Sequence, residues 1–214
     1  MKKEKIILFD LDGTLIDSTE AILESFAVAF DRCGGELPNA TRIKAEIGHP
    51  LENMFTSLGI ENIYIEEYVT VYKEHYRKIS CMKTVLLPYA EKAIALAYKE
   101  AYLGVVTTKT GTYSVELLEY MGLMKYFDVL IGREHVIHPK PNPEPIQKAL
   151  LQLPEVTSGV WMIGDTCMDM HAAQAANIDG IAVLCGYGSN EKLRECSDKI
   201  TQNTLEAIQF IAKK

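Results

Sequence analysis

Four short stretches of this sequence end in residues that can do chemistry together. The apolar run Ile6 to Phe9 leads into Asp10-Leu11-Asp12-Gly13-Thr14, and Leu103 to Val106 leads into Thr107 and Thr108. Val160 to Ile163 leads to Asp165, with Asp169 four residues later, and Lys140 sits in the proline-rich His138-Pro139-Lys140-Pro141-Asn142-Pro143. Ligands of open parallel sheets bind just beyond the carboxyl ends of the strands, so residues that close such runs converge on one edge. Carboxylates crowded there repel one another unless a cation joins them, and an oxygen-rich site of this kind suits magnesium. A bound cation offsets negative charge on a phosphate and on an attacking carboxylate. A lysine and a hydroxyl can hold the remaining phosphate oxygens. Together these groups are what phosphoryl transfer to a carboxylate requires.

The elements that must position them follow from the pattern of apolar residues. Ile6 to Phe9, Leu103 to Thr107, Phe127 to Ile131, Val160 to Ile163 and Ile181 to Leu184 are β-rich and apolar on consecutive residues, as expected of strands buried on both faces. Helical patterns over Tyr89 to Lys99, Tyr113 to Met121, Pro145 to Leu153 and Asp169 to Ala176 separate the later ones. The alternation predicts an α/β fold with a doubly wound parallel sheet. Residues 16–84 break the rhythm. Asp17-Ser18-Thr19-Glu20 resembles a capping box ahead of Ile22, Phe26, Phe30 and Cys33 at helical spacing, ending at Gly34-Gly35. A second helix is expected over about Glu61 to Ser80, where Tyr64, Tyr68, Tyr72 and Tyr76 recur every four residues. This stripe reads first as packing within a helical insert, and second as a stacking surface.

In order and context these residues resemble the four motifs of the haloacid dehalogenase superfamily, in the subgroup with a helical cap after the first strand. Asp10 to Thr14 looks like the first motif, Thr107 the second, Lys140 the third, and Gly164-Asp165-Thr166 through Asp169 the fourth. The resemblance implies a Rossmann-like catalytic core over residues 1–15 and 85–214 and a helical cap over 16–84. It implies Asp10 as nucleophile and magnesium ligand, and Asp12 as general acid and base whose backbone carbonyl also meets the metal. It further implies Thr107 on the phosphate, Lys140 neutralising nucleophile and phosphate, Asp165 on the metal and Asp169 supporting that shell. Gly13 to Asp17 would be the hinge for cap movement. Asp12 argues against dehalogenases, which lack this second aspartate, and against phosphonate hydrolases, which carry a small residue there. Thr108 stands where relatives often have Asn, so its backbone amide is expected to matter more than its side chain.

Within the family, the chain is most similar to phosphoglycolate phosphatase-like hydrolases. Thr107 to Lys109, Lys140 to Pro143 and Gly186-Tyr187-Gly188 agree, whereas Leu87-Pro88-Tyr89-Ala90-Glu91 departs from the usual Pro-Tyr-Pro-Gly before the core helix. The expected activity is magnesium-dependent hydrolysis of small-molecule phosphate monoesters. A phosphosugar mutase or inorganic pyrophosphatase is the alternative, and a non-catalytic binding protein the least favoured reading. His49, in Ile47-Gly48-His49-Pro50, is a candidate substrate contact from the cap. Arg42, Lys44, Lys73 and Arg77 are candidates for an anionic leaving group.

The remaining properties act mainly by exclusion. The 214 residues are 48% apolar and 24% charged with net charge −7, and no basic run suggests nucleic acid or anionic membrane as a partner. No stretch approaches the length of a membrane span. A small phosphorylated metabolite is the expected partner, with the protein a monomer or homodimer. Five cysteines, without CxxC spacing, predict neither a disulfide scaffold nor a zinc site, and so a reducing cytoplasm. Cys167, although next to the metal motif, is expected to be a bystander because a soft thiol is a poor magnesium ligand.

Overall fold

The computed structural model describes residues 3–214. The chain begins with β1 (Lys5–Phe9) and β2 (Ile16–Asp17), followed by α1 (Thr19–Cys33), α2 (Ala40–Ala45), α3 (Leu51–Ser57) and α4 (Ile65–Ile79). It returns through β3 (Val85–Leu86), α5 (Ala90–Ala97), β4 (Ala101–Val106), α6 (Gly111–Tyr120), β5 (Val129–Ile131) and α7 (Glu144–Leu150). Then come β6 (Val160–Gly164), α8 (Cys167–Ala175), β7 (Asp179–Val183), α9 (Asn190–Cys196), β8 (Ile200–Thr201) and α10 (Thr204–Ile211).

Six strands form one sheet in the order β5-β4-β1-β6-β7-β8, and every pairing in it is parallel. Alternate residues of each strand point to opposite faces, and both faces are covered. Ile7, Phe9, Leu103, Val105 and Ile163 pack with residues of α5, α6 and α10 on one side. Ile6, Leu8, Val106 and Met162 pack with α7 and α8 on the other. The doubly wound α/β architecture expected from the sequence is therefore present. Strand order reverses direction at β1, so the carboxyl end of β1 lies at the switch point where open sheets form ligand crevices.

The helices between β1 and β4 build a separate apolar cluster. Phe26 meets Phe55 and Tyr72 at ring-centroid distances of 4.7 and 5.1 Å, and Tyr68, Tyr72 and Tyr76 are all buried there. The tyrosine stripe is mostly packing, as its first reading held, although Tyr64 is exposed. Helix α4 is shorter than the expected 61–80 because Asn62–Tyr64 forms a tighter 3₁₀ turn before it. Helices α2 and α3, of six and seven residues, are too short to leave a clear period in the sequence. The chain leaves and re-enters the sheet layer through a two-stranded antiparallel ribbon in which Ile16 pairs with Leu86 and Asp17 with Val85.

Two local expectations are corrected. The residues Asp17 to Glu20 do not form a capping box: the Ser18 hydroxyl turns away from the helix end and donates to Asp12, while the Thr19 amide donates to Asp17 Oδ1 at 2.9 Å. The cysteines are not all free, because Cys167 at the start of α8 and Cys196 at the end of α9 form a disulfide. Their 29-residue separation hides this contact, which arises because β6 and β7 are neighbours and bring the helices that follow them together. That pairing removes the cysteine argument for a reducing compartment. No helix among the described residues is long and apolar enough to cross a membrane.

The entry turn before α5 has a physical cost. Tyr89, 58% exposed, takes φ of 70°, the left-handed region that glycine occupies without penalty. Because its side chain is mostly in water, little packing is lost on its removal. Tyr89→Gly is expected to raise unfolding free energy by about 0.5–1 kcal/mol, the relief of strain less the extra flexibility of the unfolded chain. Urea denaturation would measure this, and a loss of stability would refute it.

Candidate active site

Parallel register brings the four sequence segments together. Phe9 is level with Val105 on one neighbour and Ile163 on the other, so Asp10 leaves its strand between the ends of β4 and β6. The Asp10 amide donates to the Ile163 carbonyl at 2.9 Å, which fixes the exit of the chain. Lys140, on the connection from β5 to α7, reaches across to the same point. Its Nζ donates to Asp10 Oδ1 at 2.8 Å, Asp169 Oδ1 at 2.6 Å and the Val106 carbonyl at 2.9 Å, and the side chain is 2% exposed. Burial works against a charged lysine, but the carboxylates of Asp10 and Asp169 outweigh it and hold the ammonium above its ordinary range.

Asp10, Asp165 and Asp169 each offer an oxygen within 4.8 Å of the others, and all three are buried. Asp165 Oδ1 accepts from the Thr14 hydroxyl at 3.1 Å and Oδ2 from the Tyr187 amide at 2.8 Å. Gly13, with φ of 82°, and Gly186 both press against the Asp165 carboxylate so closely that a Cβ at either position would collide with it. Asp169 is not the N-cap of α8 but sits three residues inside it. Its Oδ2 accepts from the Thr166 amide at 3.1 Å and hydroxyl at 2.7 Å, while Oδ1 is given to Lys140.

Three carboxylates against one ammonium leave a formal excess of two negative charges in a buried space. Burial, ahead of repulsion by Asp169, raises the Asp10 carboxyl to about 7 despite Lys140. Burial again, then Asp10 and Asp169, pushes Asp165 well above the usual carboxylate range. A divalent cation would remove this excess, and the donor set of hard carboxylate oxygens fits one. Cys167, held in its disulfide, offers no thiolate to it.

The second motif aspartate is arranged differently. Asp12 lies outside the triad: Oδ1 accepts from Ser18, and Oδ2 pairs with Lys109 Nζ at 3.1 Å. Thr107 is 4% exposed, and its hydroxyl oxygen accepts from the Lys109 amide at 3.1 Å. The Thr108 hydroxyl donates to the Gly48 carbonyl at 2.7 Å, so its side chain ties the sheet layer to the helical segment, a use the sequence reading did not give it. A cleft between the two layers is lined by Asp12, Lys109, His49, Lys73, Tyr72 and Arg133. His49 and Lys73 therefore reach it. Lys44 faces a different hollow beside Tyr187, and Arg77 instead pairs with Glu116 at 3.2 Å. Arg42 lies on an exposed turn of α2.

Lys109, Ser18, Thr14 and Tyr187 are the contacts that were not assigned beforehand. The first had a usable signal, since a lysine two residues beyond Thr107 must lie on the same edge. The others touch the site through loop geometry that has no period.

The chain belongs to the haloacid dehalogenase-like hydrolase family, whose model matches residues 7–183. It is 29% identical to a phosphoglycolate phosphatase of Colwellia psychrerythraea, across 100% of the chain and 99% of that protein. It is 32% identical to the pyrophosphatase PpaX of Oceanobacillus iheyensis, across 97% and 96%. A haloacid dehalogenase-like family hydrolase from Streptococcus pneumoniae superposes with a TM-score of 0.85 at 29% identity, covering 98% of this chain and 99% of that one.

The raised Asp10 carboxyl predicts a pH effect. With a folded-state value of about 7 against an ordinary 3.8, the folded protein holds a proton that the unfolded chain releases between roughly pH 4 and 7. In metal-free protein this contribution to stability is present at low pH and is lost as pH rises through 7. Added magnesium is accordingly expected to raise the Tm more at pH 8 than at pH 5, measured by calorimetry. A larger rise at pH 5 would contradict the assignment of the triad as a cation site.

Proposed function

We propose that the protein is a magnesium-dependent phosphatase that hydrolyses small-molecule phosphate monoesters through an aspartyl-phosphate on Asp10. The observation that carries this reading is the pairing of buried Asp10 with Lys140 inside the acidic triad, at the switch point of the sheet. A carboxylate held there, with its charge offset and water excluded, is set up as a nucleophile.

Asp10 and Asp165, with the backbone carbonyl of Asp12, would hold Mg²⁺, while Asp169 orients Lys140 and Thr166. When bound, the cation offsets the negative charge of the phosphate and of Asp10. Asp10 attacks phosphorus as the bond from phosphorus to the ester oxygen breaks, and Asp12 gives that oxygen its proton. Asp12, now a carboxylate, takes a proton from water as the water attacks phosphorus, which releases phosphate and restores Asp10. Lys140 and the Thr107 hydroxyl hold the phosphoryl oxygens, and the Thr108 backbone amide lies beside them in chain order.

Residues 16–84 are read as a cap that opens at the ribbon of β2 and β3, since Asp10 is only 3% exposed and substrate must reach it. Lys73 and Arg133 bring positive charge to the cleft against the single carboxylate of Glu52, since Lys109 is taken up by Asp12, and this excess favours a leaving group carrying its own negative charge. Phosphoglycolate fits this description. Inorganic pyrophosphate is the second reading, favoured by the same lining.

Asp10→Asn is expected to lower phosphate release by about 10⁴-fold or to background, as loss of a covalent nucleophile does. Asp12→Asn should cost about 100-fold or more, the usual contribution of general acid–base catalysis. A magnesium-supplemented panel of phosphoglycolate, pyrophosphate and sugar phosphates, followed by phosphate release, measures both. Undiminished turnover in Asp10→Asn would sink the aspartyl-phosphate mechanism. Conversion of a hexose phosphate to its isomer, without net phosphate release, would replace hydrolysis with a mutase reaction.

A further inference from the structure

Lys109, whose side chain is 11% exposed, is a lysine that the reaction outlined above does not use. It lies between the end of β4 and the start of α6, on the sheet layer, yet its ammonium has partners in both layers. One is Asp12 Oδ2, at 3.1 Å on the sheet side. The other is the Tyr76 hydroxyl on α4, which accepts from Nζ at 3.0 Å, with the Tyr76 ring centroid 4.4 Å away. Tyr76 is itself 2% exposed and stacks on Tyr72 with centroids 5.6 Å apart and ring planes 10° from parallel. The tyrosine is thus held rigidly by the helical cluster, and it presents its oxygen to a lysine of the opposite layer.

The cost of burying an ammonium is large unless it is paired and hydrogen-bonded. With Tyr76 in place, the three donors of Lys109 have a carboxylate and a phenol oxygen to meet, and a ring face beside them. Removing α4 from the sheet layer takes away the phenol and the ring together and lets water reach the lysine. Its hold on Asp12 then weakens, because an exposed ion pair contributes far less than a buried one held in a fixed geometry. The other Asp12 oxygen is fixed by Ser18, which flanks the β2–β3 ribbon, so Lys109 supplies the only other side-chain anchor recorded for this carboxylate among the described residues.

We propose that Lys109 is a positioning residue that couples the closed state of residues 16–84 to the placement of the Asp12 carboxylate, with Tyr76 as the sensor of closure. Asp12 is then aimed for proton transfer only when the helical layer is seated and the reacting centre is dry. This rests on Asp12 being the acid and base of the proposed phosphatase.

The test uses the full chain with Tyr76→Phe, Lys109→Met, Lys109→Arg and the double variant Tyr76→Phe/Lys109→Met, each first checked by thermal unfolding. Two substrates are compared: an alkyl phosphate, whose leaving oxygen needs a proton, and p-nitrophenyl phosphate, whose leaving group does not. Lys109→Met is expected to lower kcat on the alkyl ester about 100-fold, the scale of general acid catalysis, while the first-turnover burst of nitrophenolate stays within about threefold of wild type. Lys109→Arg should recover part of the alkyl-ester rate. Tyr76→Phe should lower that rate about tenfold, as loss of one charge-assisted hydrogen bond does, and add nothing further in the Lys109→Met background.

Equal losses on both substrates, or additive losses in the double variant, would overturn the coupling and leave Lys109 with a packing role. Hydrogen exchange provides a reading independent of turnover. Tyr76→Phe should speed exchange in both α4 and the 12–18 loop, and acceleration confined to α4 would overturn the proposal whatever the activity. A wild type that releases no phosphate from any ester, yet shows the joint acceleration, would instead reject the phosphatase reading and keep the coupling.

Discussion

The interaction on which the rest of the structure depends is the meeting of Lys140 with Asp10 and Asp169 in a space that water does not reach. Three buried carboxylates cannot share such a volume without positive charge, and one lysine supplies only part of it. The surrounding loops complete the arrangement. Thr14, Thr166 and the Tyr187 amide each satisfy a carboxylate oxygen, and Gly13 and Gly186 allow the backbone to close on Asp165. The site gathers more carboxylates than its one ammonium can offset, which raises Asp10 and Asp165 toward protonation, so its preference for a hard divalent cation is a consequence of electrostatics and not of any single ligand.

The sheet makes that crowding possible. A parallel strand buried on both faces ends abruptly where its last hydrogen bond is made, and its next residue is delivered to a fixed place. Register sets β1 level with β4 and β6, and the three strand ends put Asp10, Thr107 and Asp165 on one edge. The helical segment has the complementary task. Its aromatic cluster of Phe26, Phe55 and Tyr72 keeps it rigid, while the narrow ribbon of β2 and β3 is its only strand connection to the rest among the described residues. Rigid bodies joined at a narrow neck can move against each other, and the contacts of Thr108 with Gly48 and of Lys109 with Tyr76 define where they meet.

Much of this was legible in the sequence because it depends on short-range pattern. Consecutive apolar residues marked β1, β4, β5, β6 and β7, and the polar residue after each run marked the edge where Asp10, Thr107 and Asp165 gather. Elements with little period were not legible. Strand β8 has two residues, α2 and α3 carry few buried positions, and α10 follows a stretch with no clear stop signal. The Asp17 to Glu20 segment was misread because its capping signature is real at the level of spacing, yet the helix starts after Ser18, whose hydroxyl donates to the Asp12 carboxylate and accepts from no amide of the first turn.

The sequence by itself determined the chemistry: which carboxylates follow strands, which lysine lies between them, and that an aspartate occupies position 12. These are properties of residue type and local order. Only the tertiary structure decided which side chains share a carboxylate. It gave Asp12 to Ser18 and Lys109, split Asp169 between Lys140 and Thr166, joined Cys167 to Cys196, and brought Tyr76 from the helical layer to a lysine of the sheet layer. Apart from the local contact of Thr166 with Asp169, such pairings link residues from six to 97 positions apart and depend on strand register and helix seating, which no local spacing encodes.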